Sequence, residues 1–277
     1  MNQFHTLFIG FSLVASTLSC VSSARGQDLA DMLVNWDPSW PQRFGITGIG
    51  YSQEQDYALD NLVVSAAPGT PPTLAPLLDG IDLGPLLSEI DNEVSQWGVK
   101  GDFWILPFWN VHGMVGKVDG QTVVSLNQAA VAEAAGQGLN LPGSIEVDYE
   151  GTVFAAGSTL AYGNDWWFVS VTGVYAYTEV KGDIESIPSW LLMPRLGARL
   201  GKFEAWVGAT CQNVSERQSG VFDLGLLAVN YDLELKASEP WNAQAGLRYS
   251  LTDSVFVTVE AGFGNRDSLS GHLEWRF

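Results

Sequence analysis

The last twelve residues of the chain alternate in polarity and end on an aromatic residue. One face of this segment carries Leu269, Leu273, Trp275 and Phe277, and the opposite face carries Ser268, Ser270, His272, Glu274 and Arg276. A period of two is that of a β-strand between an apolar and a polar environment. A single strand of this kind is not stable alone, so the rest of the chain must supply its partners.

Two short segments resemble a known class of proteins. The ending resembles the terminal strand of bacterial outer-membrane β-barrels, whose final Phe is part of the signal read by the barrel-assembly machinery. Pro107-Phe108-Trp109-Asn110-Val111, after Phe103-Trp104-Ile105-Leu106, resembles a turn motif of small Gram-negative barrels. The resemblance implies an outer-membrane location, contact with lipid and lipopolysaccharide, and the barrel-assembly machinery as a partner during biogenesis.

Composition excludes several classes of protein. With 46% hydrophobic and 16% charged residues in 277, the chain is not a disordered protein. Its 30 Gly and 11 Trp favour many strands and turns with amphipathic aromatic anchors. A formal charge of −18 argues against nucleic acid and disfavours anionic partners in general, because no basic surface is available to replace phosphate counterions.

The amino-terminal segment has the pattern of an export signal. An apolar run from Phe4 to Val21 precedes small residues, which predicts a signal peptide over residues 1–26, cleaved after Ala24 or Gly26. A lipidated Cys20 is the alternative, although Thr17 stands where a lipobox usually has Leu. We expect residues 27–43 to form a periplasmic segment and residues 44–277 to form the barrel.

The sequence limits how an exported chain of this kind can be stabilised and how it can enter a membrane. Beyond the signal only Cys211 remains, so no intramolecular disulfide can form. No later stretch has the roughly 18 apolar residues of a transmembrane helix. A chain of this kind enters a bilayer only as a closed barrel, because open sheet edges leave backbone groups unpaired in hydrocarbon.

Alternating segments predict an all-β, closed antiparallel transmembrane barrel of about ten strands, within a range of roughly 8–12. The segments are Phe44–Gln53, Trp97–Leu106, Trp109–Val118, Ile145–Tyr162, Trp166–Tyr177, Trp190–Gly201, Phe203–Gln212, Trp241–Leu251, Val255–Gly264 and the final strand. Long and short connectors alternate except at Asn265-Arg266-Asp267, where a long one is expected. Residues 213–240 form either an external loop or an extra hairpin, Val221–Leu227 and Val229–Leu235, which would make twelve strands.

The side that each residue faces follows from placing Phe277 towards lipid. The outward sets are Val99/Gly101/Phe103/Ile105, Val111/Gly113/Val115, Val153/Ala155/Gly157, Val169/Val171/Gly173, Leu196/Ala198/Leu200, Ala205/Val207/Ala209, Ala243/Ala245/Leu247 and Val257/Val259/Ala261, and none carries a charge. Aromatics then form two interfacial girdles. One contains Trp97, Tyr149, Tyr175, Tyr177, Trp190, Trp241 and Phe263, and the other contains Trp109, Trp167, Phe203, Tyr249, Trp275 and Phe277.

Three stretches have helical spacing instead. Leu29, Met32, Leu33 and Trp36 suggest a short amphipathic helix before the barrel. Leu83, Leu86, Leu87, Ile90 and Val94 suggest a second helix in the first long loop, and Ala129–Ala135 has the composition of a third.

The inward positions predict a lumen lined by an ion-pair network. Its members are Lys100, Asp102, Glu150, Arg195, Arg199, Glu204, Arg248, Glu260, Glu274 and Arg276. Trp104, Met114, Phe154, Trp166, Phe168, Trp206 and Phe256 point inward on the same pattern, and His112 is a further lumen residue. Because small barrels hold little beyond side chains or one small ligand, we expect a filled or constricted lumen. Carboxylates of the long loops either solvate them or bridge divalent cations to lipopolysaccharide.

One constellation has the composition of a catalytic site. Ser270, His272 and Glu274 share a strand face, and outer-membrane lipid hydrolases combine Ser, His and an acid on barrel strands. Alternate side chains stand roughly 6.5–7 Å apart along a strand, which favours a polar lumen lining over a nucleophile and its base. No metal-binding or cofactor-binding motif is present in the sequence.

The leading functional hypothesis is therefore a non-enzymatic outer-membrane barrel, either a narrow pore or a structural and adhesive surface protein. The alternatives are a lipid hydrolase and a soluble periplasmic ligand-binding barrel, in which the apolar face would point inward. The sequence identifies no solute, receptor or oligomeric state.

Overall fold

The computed structural model describes residues 36–37, 40–66, 81–82, 87–129, 132, 143–181, 186–223, 228–237 and 239–277. The strands are β1 (Phe44–Ala66), β2 (Ile81–Asp82), β3 (Leu87–Leu106), β4 (Trp109–Leu126), β5 (Ser144–Gly163), β6 (Trp167–Val180), β7 (Ile187–Leu200), β8 (Phe203–Asp223), β9 (Ala228–Ala237), β10 (Trp241–Ser250), β11 (Val255–Phe263) and β12 (Arg266–Arg276). All ten predicted strands are present.

Ten strands close a ring in the order β1, β3, β4, β5, β6, β7, β8, β10, β11 and β12, and β12 returns to β1. The first and last strands close it through two backbone hydrogen bonds between Phe44 and Phe277, of 3.0 and 2.9 Å. The turn end of the barrel, with the tight connections 107–108, 164–166, 201–202 and 251–254, lies opposite the loop end. The fold is the closed antiparallel barrel that the sequence predicts.

Residues 213–240 form neither a simple loop nor two further strands of the ring. The strand β8 continues to Asp223, and β9 then pairs with both β8 and the outer part of β1. It occupies the position above the ends of β10, β11 and β12. This explains the short connection between β11 and β12, because β9 already covers that side of the loop end.

The predicted helix over Leu83, Leu86, Leu87, Ile90 and Val94 is wrong where it can be checked, because β3 begins at Leu87. Strand pairing with β4 up to Leu126 satisfies this backbone instead. Gln128, Ala129 and Ala132 are helical, and the Asn127 side chain accepts a hydrogen bond of 2.9 Å from the Ala129 N–H. Leu29, Met32 and Leu33 lie outside the described residues, as do residues 1–26.

No helix among the described residues is long and apolar enough to span a membrane.

Burial in this barrel is reversed with respect to a soluble protein. The largest fully buried side chains are Asn92, Thr47 and Thr122, which are polar, and large apolar side chains such as Val207 and Leu273 remain 63% and 58% exposed. An apolar belt around the outside of a closed barrel, opposite a polar interior, is the arrangement of a barrel that lipid surrounds. The soluble barrel with an apolar interior therefore does not describe this fold.

The facing prediction is wrong for β5. Val153 is buried, and Ala155 lines the lumen. Tyr149, predicted in the outer girdle, also lines the lumen. Phe154, predicted to point inward, is 46% exposed on the outside. The register explains the reversal, because Ala155 lies opposite the inward Met114 of β4. Both faces of β5 are apolar, so alternation alone does not distinguish them.

The aromatic girdle at the turn end is continuous where the ring closes. The ring centroid of Phe44 lies 5.0 Å from that of Phe103 and 6.0 Å from that of Phe277. The ring centroids of Trp275 and Phe277 are 4.9 Å apart. Trp166, predicted to point inward, instead lies in the turn after β5 and is exposed.

Candidate functional site: the barrel lumen

An ionic layer crosses the lumen near the turn end. Alternating charges connect β3, β12, β10, β8 and β7 in the order Asp102, Arg276, Glu274, Arg248, Glu204 and Arg199. Arg276 is 2.8 Å from Asp102 and 2.5 Å from Glu274, and the other three pairs lie at 3.0–3.1 Å. Because each carboxylate meets an arginine, the layer keeps charge in the lumen without leaving these ions unpaired.

Exposure changes along this layer. The side chains of Asp102 and Arg276 are 3% and 9% exposed, whereas that of Arg199 at the other end is 39% exposed. The end of the layer at β3 is therefore buried from water, and the end at β7 is accessible to it.

A second, separate ion pair lies further from the turn end. Arg195 on β7 is 2.8 Å from Glu260 on β11, across the lumen. The indole N–H of Trp206 donates to the same carboxylate at 2.7 Å. Glu260 is thus fully engaged on one wall of the lumen.

Two residues of the predicted network behave differently. Glu150 points outward and pairs with Lys181 at 2.6 Å, beyond the loop-end girdle, so its assignment to the lumen is wrong for the same reason as the rest of β5. The hydrogen bond from Lys181 holds the pKa of Glu150 below its ordinary value. Lys100 does point inward, but it has no ion pair or hydrogen bond with any described residue.

Two of the bulky inward rings, Trp206 and Phe168, pack against glycines of neighbouring strands. A Cβ at Gly246 would overlap the indole of Trp206, and one at Gly197 would overlap the ring of Phe168. In both cases a ring on one strand covers an inward glycine on its neighbour, a packing known to compensate for glycine in sheets. These two rings therefore lie along the wall, and the filled lumen that is one form of the expectation does not follow from them.

A cavity of about 400 Å³ remains inside the barrel. Towards the loop end, one wall is mainly apolar and comes from β4, β5, β6 and β7: Met114, Val118, Val153, Ala155, Val174, Ala176, Leu191 and Met193. The opposite wall is polar and comes from β1, β10, β11 and β12: Gln53, Asn242, Gln244, Glu260, Arg266, Ser268, Ser270 and His272. In cross-section the lumen therefore has one mainly apolar wall and one polar wall.

The catalytic candidates are only partly brought together. Ser270 Oγ and His272 Nε2 are 3.0 Å apart, because the two side chains lean towards each other. Glu274 instead bonds Arg248 and Arg276. The Ser270–His272 pair faces the lumen, on the side of the wall opposite the lipid.

Sequence reasoning missed Arg266, which is 5% exposed and lines the cavity. Its side chain donates to Gln212, and its backbone N–H bonds Asn242. The alternation counted back from Phe277 already places position 266 inward, so the signal was present. Within the described residues no group of three or more His, Cys, Asp or Glu could hold a metal ion.

No protein-family model matches the chain, and no curated protein matches it either. Several solved structures are similar to it at low sequence identity. The transport unit of the autotransporter AIDA-I from Escherichia coli has 10% identity and a TM-score of 0.44, covering 90% of this chain and 96% of that one. The translocator domain of autotransporter NalP from Neisseria meningitidis has 10% identity and a TM-score of 0.41, covering 96% and 99%. The Pseudomonas putida toluene transporter TodX has 9% identity and a TM-score of 0.32, covering 89% and 91%.

The closed ring and its exposed apolar belt define a transmembrane β-barrel. A closed antiparallel ring is the architecture with which strands cross a lipid bilayer.

Proposed function

We propose that this protein is a narrow pore for small solutes in the outer membrane of a Gram-negative bacterium, with the loop end outside and the turn end in the periplasm. The observation that carries the proposal is the cavity inside the ring, beside which Trp206 and Phe168 pack onto glycines of neighbouring strands. A purely structural barrel of this size could be filled by side chains.

The ionic layer is the constriction of this pore. Arg199, Arg248 and Glu204 are partly exposed, so water reaches the layer beside β7 and β8. Fixed pairs across a narrow section restrict passage to small solutes while keeping the barrel closed. Lipid and lipopolysaccharide surround the exposed belt in this arrangement.

Conductance of the purified protein in planar bilayers tests the pore. We expect small, discrete current steps. A Gly246→Ala variant should lower the step size, because its Cβ displaces the Trp206 indole into the lumen. Gly101→Ala is the matched control, since a Cβ there meets nothing within 4 Å.

Absence of discrete steps over a range of voltages would refute the pore and favour the structural and adhesive role. Equal step sizes for the wild type, Gly246→Ala and Gly101→Ala would contradict the argument that Trp206 borders the conducting path.

A non-enzymatic role fits the placement of Ser270 and His272. A lipid hydrolase needs its nucleophile where an acyl ester can reach it, and this pair lies on the lumen side of the wall. Among the described residues no carboxylate is hydrogen-bonded to His272, and Glu274 on the same strand face is engaged by two arginines.

A further inference from the structure

The charged residues that line the cavity are unbalanced. Lys100, Arg195 and Arg266 line it, and Glu260 is the single carboxylate among the described residues that do so. Glu260 is already paired with Arg195 and Trp206. The lining is therefore positive, although the whole chain carries a charge of −18.

The polar wall and the adjoining strand β3 also have donors without acceptors. Among the described residues, Arg266 Nε and Gln244 Nε2 on the polar wall are buried without a hydrogen-bond partner. Lys100 on β3 has no hydrogen bond or ion pair with a described residue, although Asp102 and Glu274 act on it electrostatically. Unsatisfied buried donors are costly, and an oxygen that only accepts hydrogen bonds would satisfy them. A carboxylate has this property and carries the complementary charge.

The facing wall offers a different chemistry. Val118, Val153 and Ala176 are buried together, and Val94, Met114 and Ala155 pack against them. This surface lies inside the ring, away from the lipid. An apolar strip that faces a polar, cationic wall across a narrow space fits a solute with two chemically distinct sides.

We propose that the lumen binds small monocarboxylates with a linear apolar body. The carboxylate contacts Lys100 on β3 or Arg266 on β12, and the hydrocarbon lies on the strip around Val153. This inference deepens the proposed pore by naming its solute class, and it rests on that proposal for its biological meaning. The binding site itself does not require the pore to conduct.

Isothermal titration of the detergent-solubilised barrel tests the site, with hexanoate as the probe and empty micelles subtracted. Hexylammonium and 1-hexanol share the hydrocarbon body but lack the negative charge. We expect hexanoate to bind at least tenfold more tightly than either. Lys100→Gln and Arg266→Gln should each weaken hexanoate binding about fivefold or more, and Lys181→Gln, on the outer surface, should leave it unchanged.

Val153→Thr tests the apolar wall separately, because it keeps the shape of the side chain and replaces one methyl group with a hydroxyl. We expect it to weaken hexanoate about threefold or more. Heat-modifiable migration on gels verifies that each variant is folded, and Lys100→Met replaces Lys100→Gln if the latter does not fold.

Equal affinity for hexanoate and hexylammonium, or no saturable hexanoate binding by the folded wild type, would overturn the proposal. Unchanged affinity in Val153→Thr would overturn the placement of the hydrocarbon. Saturable hexanoate binding by a barrel that shows no current steps would refute the pore alone, so the two failures are distinguishable.

Discussion

Replacing Arg276 with Met should destabilise the barrel by about 3 kcal/mol, which is the lower part of the range for breaking a buried ion pair. Its guanidinium is 2.8 Å from Asp102, and the two side chains are 9% and 3% exposed. The low figure applies because Asp102 keeps a hydrogen bond of 2.7 Å from Asn110, and Glu274 keeps Arg248.

The assay is denaturant unfolding of protein refolded in phospholipid vesicles, followed by tryptophan fluorescence. Refolding in vitro separates stability from any effect of position 276 on cellular assembly. A loss of 3 kcal/mol corresponds to about two orders of magnitude in the unfolding equilibrium constant. Lys181→Met is the matched control, and we expect no change in its unfolding midpoint, because the Lys181–Glu150 pair is exposed to solvent.

A double variant sharpens the measurement. Adding Asp102→Asn to Arg276→Met removes the isolated charge while keeping an acceptor for Asn110, so about half of the lost stability should return. A loss below about 0.5 kcal/mol in Arg276→Met would refute the reasoning that this end of the ionic layer is sealed from water. No recovery in the double variant would show that the isolated Asp102 charge is not the cause.

Three further predictions concern the loop end and the lumen. Asn242→Ala should destabilise the barrel by about 2 kcal/mol in the same unfolding assay, because its buried amide holds the turn after β11 through three hydrogen bonds; an unchanged midpoint would contradict this role. Burial and the neighbouring Asp56 carboxylate raise the pKa of Asp91 above its ordinary value of 3.8, so the folded state loses stability as pH rises through the raised pKa. Asp91→Asn should therefore be more stable than the wild type at neutral pH and equal to it below pH 3.8, and a difference that is constant across pH would count against this coupling. Incubation with phospholipid and lipopolysaccharide should leave acyl composition unchanged by mass spectrometry, and acyl release that Ser270→Ala and His272→Ala abolish would restore the hydrolase hypothesis.

The interior contacts show where sequence reasoning stops. Alternation places Arg195 and Glu260 inside the barrel, but their pairing across the lumen depends on the ring geometry. The same alternation separates Ser270 from His272 by a strand repeat, and only the side-chain conformations bring them to 3.0 Å. A ring that packs onto the glycine of a neighbouring strand also has no signature within its own strand, so the sequence does not show that Trp206 and Phe168 lie along the wall.

The sequence by itself determined the ten strands and the lipid-facing side of most of them, because an apolar row opposite a polar row has one stable orientation in a bilayer. Only the tertiary structure decided the orientation of β5. Val153 and Phe154 are both apolar, so either face satisfies lipid, and the choice follows from hydrogen-bonded register with β4. That register turns Val153 inward and gives the lumen its apolar wall, a property that no single strand encodes.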